Sequence, residues 1–526
     1  MVQAAIRIVC VGGGASAVAL VASLLAELRR DGSRTVDLTI VESRDSVGTG
    51  LAYGTDVLPL HLMNMEAEDL SITADDPADF VLWLKGFNGD VASPERMRAA
   101  VPRQIYGTYL QQRFAEYSAA GRQVGLVVKT VHGRAVGLER SSDGYAVLLA
   151  TGQRLIGTHL VLSTGHWVQP VGAVDRKSGR SAVLPWPAEE LVAASNDANE
   201  IAVIGTSLTA IDAILTVAAN RGRFDAVQYA PLRPFRIHAA SRGGRLPAVR
   251  TPLLRLAIEN NPALSQPIDV SAHADSPWDL VQRLRAMLDS GVCWALQVCG
   301  ADPAPGELLG LRPSVSSSQV FAIMRAQLRL MGAAHIGYRA RQSVLRAFFK
   351  VVSSVYSTVD DAGQRAIVQD FMPEYLVDAA PIPLQTAKQL CALAEAGILT
   401  VSSGFAGLLC TADGRPVVDV MGDGLERKQI QVDQVVNAIG RSRSNPAAEQ
   451  PILRAAINAG VASVHPLGGL RVDTATGLLK DRRGAPVPNA AALGPLLTGS
   501  YLGASSVYAS TKFSRLLCHA WLGGDA

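Results

Sequence analysis

Two short glycine turns in this chain carry the residue types that bind dinucleotides. The first is Val11-Gly12-Gly13-Gly14-Ala15-Ser16-Ala17, and the second is Val203-Ile204-Gly205-Thr206-Ser207-Leu208-Thr209-Ala210. In such a turn the first glycine permits a tight bend, the second lets a pyrophosphate approach the backbone, and a small third residue allows close helix packing. Gly12, Gly14 and Ala17 fill these places in the first turn. In the second, Gly205 makes the bend, but Ser207 stands where the middle glycine is usual, so its side chain crowds the phosphates. A helix opening after each turn would point free N–H groups at an anion. If one site takes a flavin and the other a nicotinamide, hydride transfer between two dinucleotides is the economical reading.

Each turn needs a strand before it and a helix after it. Ile6 to Val11 and Ile201 to Ile204 are β-branched and apolar, and apolar helical segments follow, the first over Ser16 to Arg30. A second strand over Val36 to Val41 ends at Glu42, placed to accept a hydrogen bond from a ribose hydroxyl. In the second unit the matching strand, Ile237 to Ala240, runs into Ser241-Arg242-Gly243-Gly244-Arg245. Arg242, Arg245 and the Ser241 hydroxyl could grip a 2′-phosphate, which selects NADPH over NAD, and the competing reading is a solvated basic turn. Between the units, Arg134 to Leu149 and Arg154 to Leu162 alternate as a β-meander that ends at Thr164-Gly165, where a small strand end admits a cofactor.

The fold class expected is α/β, with two Rossmann-like dinucleotide-binding domains (three-layer ββα/βαβ type) and a helical insertion. The boundaries expected are 1–197 for the first part of an FAD domain, 198–440 for an NADPH domain with a helical insert at about 252–396, and 441–526 for the rest of the FAD domain. FAD is assigned to the first turn because an amino-terminal unit completed much later in the chain is a common flavin assembly. Trp278 to Leu288, Val320 to Leu330 and Gln342 to Val355 have helical spacing within the insert. Four strands are expected after it, at Leu399 to Val401, Gly407 to Thr411, Val417 to Val420 and Ile430 to Val436.

Bulk composition excludes several classes. With 48% hydrophobic and 18% charged residues the chain is not a disordered protein, and a net charge of +3 over 526 residues favours neither nucleic acid nor an anionic membrane as partner. Six cysteines with no CxxC pair argue against a dithiol relay and for a reduced, cytoplasmic protein with thiols used as small apolar side chains. No stretch is apolar enough over the length needed to span a bilayer, and no GxSxG elbow or phosphate loop ending in GK[ST] is present.

Further segments carry a family resemblance: Val47-Gly48-Thr49-Gly50-Leu51-Ala52-Tyr53-Gly54-Thr55, His61-Leu62-Met63-Asn64, Asp75-Asp76-Pro77, Val101 to Tyr109, and the closing Ala492-Leu493-Gly494-Pro495-Leu496-Leu497-Thr498-Gly499. With the two turns, they resemble bacterial FAD/NAD(P)-binding proteins related to class B flavin monooxygenases and to ornithine and lysine N-hydroxylases. The resemblance implies that Gly12, Gly14, Ala17 and Glu42 form the FAD fingerprint, that Gly48 and Gly50 lie beside the pyrophosphate and ribityl arm, and that Arg103 helps hold the cofactor. It places Gly494 and Pro495 in the closing flavin motif and His61 to Asn64 near the isoalloxazine ring. It further implies that NADPH reduces FAD and that a flavin C4a-hydroperoxide passes one oxygen atom to a small amine or amino acid, with molecular oxygen as co-substrate. Asn64 is the candidate hydrogen-bond donor to that intermediate and His61 a second catalytic candidate, although each also reads as a structural group, a turn asparagine and a satisfied histidine. Substrate cations are sought among Arg312, Arg325 and Arg341 of the insert, although for any single one of them a solvated helical face is the more usual reading. The chain departs from the family at Ser207 and over Asp370 to Pro383, which lacks a His/Arg-rich stretch. Two other functions stay open at this point: an FAD/NAD(P)H reductase or oxidase without oxygen transfer, and a flavin-binding module acting through a partner protein. Association into a homo-oligomer is not decided by the sequence.

Overall fold

The computed structural model describes residues 6–54, 56–87, 100–167, 182–225, 228–254, 256, 260–265, 276–301, 316–332, 335–422, 426–439 and 450–523. By their contacts the residues divide into two compact units, one of 1–59, 65–169 and 441–526 and one of 60–64 and 170–440.

The first unit is built on a six-stranded sheet. Its spatial order is Leu478–Lys480, Pro486–Ala492, His159–Leu162, Ile6–Val11, Val36–Glu42 and Leu126–His132. All neighbours are parallel except the edge pair Leu478–Lys480 with Pro486–Ala492. Parallel strands covered on both faces read as continuous apolar runs, which is how Ile8, Val9, Cys10 and Val11 come to be almost wholly buried. The helix Ala15–Arg30 follows the glycine turn and is apolar nearly all round, because it is enclosed between the sheet and the carboxy-terminal helix Val507–Leu522. A buried bond of 2.9 Å between the Ser16 and Ser510 hydroxyls joins the two helices. The strands Ala135–Ser141, Gly144–Leu149 and Arg154–Gly157 form a separate antiparallel meander.

The second unit has its own six-stranded sheet, in the order Arg427–Gln431, Pro416–Met421, Leu399–Cys410, Arg236–Ala240, Glu200–Ile204 and Gln434–Asn437. The last four are parallel where they pair with one another. Two expectations are corrected. Leu399–Cys410 is one long strand, not two: its start pairs with Arg236–Ala240, and its register with Pro416–Met421 shifts between Ser403 and Gly407, around Gly404. Conversely Ile430 to Val436 belongs to two strands that pair on opposite sides of the sheet. Within the insert, helices occupy Pro277–Cys299, Ser317–Gly332 and Ile336–Thr358, longer than the spacing predicts.

The first boundary also differs from the expected position near 197. Residues 182–195 belong with the second unit because Val183 bridges Val436 in parallel and the helix Ala188–Ser195 packs on Leu208–Arg221. Residues 60–64 join it through His61 and Met63, as described below. Among the described residues no helix is long and apolar enough to cross a membrane, and no three His, Cys, Asp or Glu side chains are grouped to hold a metal ion.

Candidate dinucleotide sites

In the first unit the chain leaves Val11 and bends at Gly12, whose N–H bonds Val41 O at 2.8 Å. Gly12 has φ +104°, and a Cβ there would lie 2.1 Å from the carbonyl oxygen of Ser163, so both conformation and space require glycine. Gly14 is the residue before the helix, with φ −74° and no side-chain cap, and the first turn of the helix has no acidic residue. The first N–H groups of this helix therefore face outward without a side-chain acceptor, the arrangement that suits a phosphate.

Glu42 is locked beside the turn. Its Oε2 accepts the Gly13 N–H at 2.8 Å and its Oε1 accepts the Arg44 N–H at 2.9 Å. Gly48 N–H donates to Gly13 O at 2.6 Å, and a Cβ on Gly14 would stand 3.7 Å from the Cα of Gly50. The loop bearing Gly48 and Gly50 thus lies directly against the turn. From the other end of the chain, a Cβ on Gly494 would come within 2.6 Å of Ser16 Oγ, and Pro495 continues a single 3-10 turn over Gly494–Leu497. Thr164 Oγ1 donates to Gln450 Oε1, and Gly165 follows it with φ +76°. Arg103 opens the helix Arg103–Gly121 and lies near enough to Tyr53 for its charge to oppose the rise that burial imposes on that phenol. Ala17 is fully buried in the sheet–helix interface. Gly12, Gly14, Ala17, Glu42, Gly48, Gly50, Thr164, Gly165, Gly494 and Pro495 accordingly form one neighbourhood around an open helix end.

The second turn repeats this geometry. Gly205 N–H bonds Ala240 O at 2.7 Å, φ is +127°, and a Cβ there would lie 2.4 Å from Ala438 O. Ser207 has φ −95° and ψ −168°, almost the backbone of Gly14. The middle position thus requires no glycine for its conformation in either turn, and a glycine there serves only to clear space. The Ser207 side chain is exposed and caps no N–H. Ser241 lies next to this turn: its hydroxyl accepts the Gly244 N–H at 3.0 Å and shares a 2.9 Å bond with Thr206 Oγ1. It holds the basic turn in shape. Arg242 is exposed, and its carbonyl accepts from Gly404 N–H at 3.0 Å. Arg245 is half-buried.

His61 and Asn64 belong to the second unit. His61 is 1% exposed, with Nε2 3.1 Å from the carbonyl oxygen of Asp212 and 3.0 Å from Thr216 Oγ1, both on the helix Leu208–Arg221. Arg250 Nη2 donates to Met63 O at 3.5 Å. Asn64 is half-buried. Of the insert arginines, Arg341 forms a buried ion pair with Asp378 at 2.6 Å, each side chain 5% exposed. Burial pushes the Asp378 carboxyl up to about 6, and the Arg341 charge opposes that rise. Arg325 lies 3.6 Å from Glu395 at the surface, and Arg312 lies outside the described residues.

The sequence reading missed the helix Arg103–Gly121 and the Asp79 cluster that it covers. Asp79 accepts from Tyr109 Oη at 2.5 Å and pairs with Arg113 at 2.7 Å. Apolar and polar residues alternate round that helix without a clear stripe, so spacing alone carried no signal. The acid at Asp79, one turn from Trp83, was the available clue.

Comparison with known proteins agrees with this geometry. Residues 9–167 match the FAD-NAD(P)-binding family. The uncharacterized protein YdhS of Escherichia coli strain K12 is 25% identical over 233 residues, a match covering 41% of this chain and 40% of the relative. The fold is similar to that of an ornithine N-hydroxylase from Kutzneria sp. 744, solved with reduced FAD, NADP+ and L-ornithine, at 12% identity and TM-score 0.56 over 98% of both chains. It is similar also to an FAD-bound cadaverine monooxygenase from Erwinia amylovora, at 11% identity and TM-score 0.53 over 99% of this chain and 95% of that one. An ornithine hydroxylase from Pseudomonas aeruginosa aligns over 99% of both chains with TM-score 0.52 and 11% identity. Residues 9–167 thus match the FAD-NAD(P)-binding family, and the chain as a whole shares the fold of those solved ornithine and cadaverine hydroxylating monooxygenases.

Proposed function

We propose that this protein is an FAD-dependent, NADPH-consuming monooxygenase that hydroxylates a nitrogen of a small amine or amino acid. The observation that carries the reading is the pair of strand–glycine–helix turns with near-identical backbone and uncapped helix ends, one in each unit. FAD fits the first: the Gly14–Gly50 cradle leaves room that a side chain would fill, and Glu42 Oε1 and Oε2 are fixed at the end of the second strand. NADPH fits the second, where an exposed Arg242 and a half-buried Arg245 flank Ser241 with no acid in that turn. Substrate class is drawn from the folds it shares, whose proteins act on ornithine and cadaverine.

Bound FAD would take two electrons from NADPH and use them on oxygen, so that one oxygen atom reaches the amine and the other leaves as water. The residues of the chain bind and orient. The helix ends hold phosphates, Glu42 orients a ribose, Arg103 adds a cation near Tyr53, and Gly494-Pro495 closes the flavin turn. His61 braces the loop that carries the half-buried Asn64 through its bonds to Asp212 and Thr216. A reductase or oxidase is favoured instead by one observation, the exposed Ser207 hydroxymethyl at the phosphate-facing position, which would loosen retention of the oxidised coenzyme. Oxygen uptake by the flavin-loaded protein with NADPH and a panel of diamines and basic amino acids separates the two. Monooxygenation gives hydroxylamine product in step with oxygen consumed, whereas peroxide equal to oxygen consumed, with no hydroxylated amine, refutes it.

A further inference from the structure

A group of oxidisable rings lies beside the first turn, within the first unit. Tyr53, three residues beyond Gly50, has its ring 5.0 Å from Tyr106, and Tyr106 is 5.5 Å from Tyr109. Phe80 stacks edge-on between them, 5.2 Å from Tyr106 and 4.8 Å from Tyr109. Tyr109 in turn is 5.3 Å from Trp83, whose indole stacks at 4.7 Å on Phe87, an exposed residue. The rings make a continuous line from the loop at Gly50 to the surface.

Packing alone does not account for the phenols. The Tyr106 hydroxyl is buried and has no hydrogen-bond partner among the described residues, so phenylalanine would fill the same space at lower cost. Tyr109 is different in kind. Its hydroxyl donates to Asp79 Oδ2 at 2.5 Å, accepts from Ile72 N–H at 3.0 Å, and the carboxylate is held by two Arg113 contacts of 2.7 and 3.0 Å. A phenol can lose an electron readily only if its proton has somewhere to go, and Tyr109 has a carboxylate already in place.

We propose that Tyr109, Asp79 and Trp83 form a proton-coupled electron relay that drains one-electron oxidants from the first dinucleotide turn to the protein surface. The proposal rests on the reading of that turn as the FAD site, where peroxide from unproductive turnover would take one electron from reduced flavin and split into hydroxide and a hydroxyl radical. A hydroxyl radical takes one electron from the ring line and one proton from solvent and becomes water. Tyr109 supplies the electron, and its phenolic proton crosses to Asp79 Oδ2, leaving a neutral tyrosyl radical and a protonated carboxyl. Tyr106 and Phe80 pass the electron without holding the radical, since neither has a proton acceptor. Trp83 then gives an electron to Tyr109, which recovers its proton from Asp79, and a thiol-class solute at the exposed Phe87 returns one electron to the indole and releases its proton to solvent, replacing the one taken up by the hydroxyl radical.

The test uses flavin-loaded protein under blue light without oxygen or substrate, where excited flavin is the one-electron oxidant at the buried end. Transient absorption should show a tyrosyl radical that forms and then decays, slower in heavy water because a proton moves. Tyr109→Phe should lose most of that signal, and Trp83→Phe should keep it but lengthen its lifetime severalfold, with thermal melting recorded to confirm folding. Coloured protein whose tyrosyl signal is the same in Tyr109→Phe as in the parent overturns the relay and leaves the flavin reading standing. Protein that takes up no flavin overturns both.

Discussion

Individual residues in the two turns make separable demands. Gly14 keeps an ordinary negative φ, so its lack of a side chain serves space alone, and Gly14→Val should expel the flavin while leaving the strand and helix folded. The check is the visible absorbance of purified protein against its far-ultraviolet circular dichroism. Arg242→Ala should raise the KM for NADPH by roughly ten- to a hundredfold, as for loss of a charge-assisted bond of about 1.5–3 kcal/mol, and leave NADH use unchanged. An equal loss with both coenzymes contradicts the 2′-phosphate assignment. Tyr106→Phe should stabilise the protein by about 1–3 kcal/mol, the desolvation of an unmade hydrogen bond, read from urea unfolding. A destabilised Tyr106→Phe would mean that the hydroxyl has a partner after all.

At the scale of elements, the buried pair between Arg341 and Asp378 makes the insert pH-sensitive. Asp378 titrates higher in the folded protein, at about 6, than the ordinary carboxyl near 4 in an unfolded chain. The stabilising contribution of its protonation is therefore fully present below pH 4 and is lost as pH rises through 6. Asp378→Asn, which mimics the protonated carboxyl, should flatten that slope in urea melts between pH 4 and 7. A variant with the parent's slope contradicts the assignment. Elements were legible in the sequence where the signal is local. The turns at Gly12 and Gly205, the strands on either side and the enclosed helix Ala15–Arg30 follow from spacing within about twenty residues. The helix Arg103–Gly121 and the strand Leu126–His132 escaped, one because its polar residues spread round the axis and the other because only its pairing with Val36–Glu42 defines it. Gly404 reads as a break yet sits inside a single strand, since the neighbour Arg236–Ala240 fixes the start of that strand whatever follows.

For the whole molecule, the sequence announces two nucleotide units but not which residues belong to each. Nothing local in His61-Leu62-Met63-Asn64 says that this loop, only eleven residues beyond Gly50, packs with the helix Leu208–Arg221. The partner Thr216 is distant in sequence and is brought near only by the fold. The same holds for Gly494, whose neighbour Ser16 lies at the other end of the chain. The proposed function requires the two units to hold different dinucleotides. Protein reconstituted with FAD is mixed without oxygen with NADPH, and separately with NADH, while flavin absorbance is followed. Yellow protein should be bleached much faster by NADPH than by NADH. Protein that stays colourless after reconstitution, or a flavin that neither coenzyme bleaches, would contradict it.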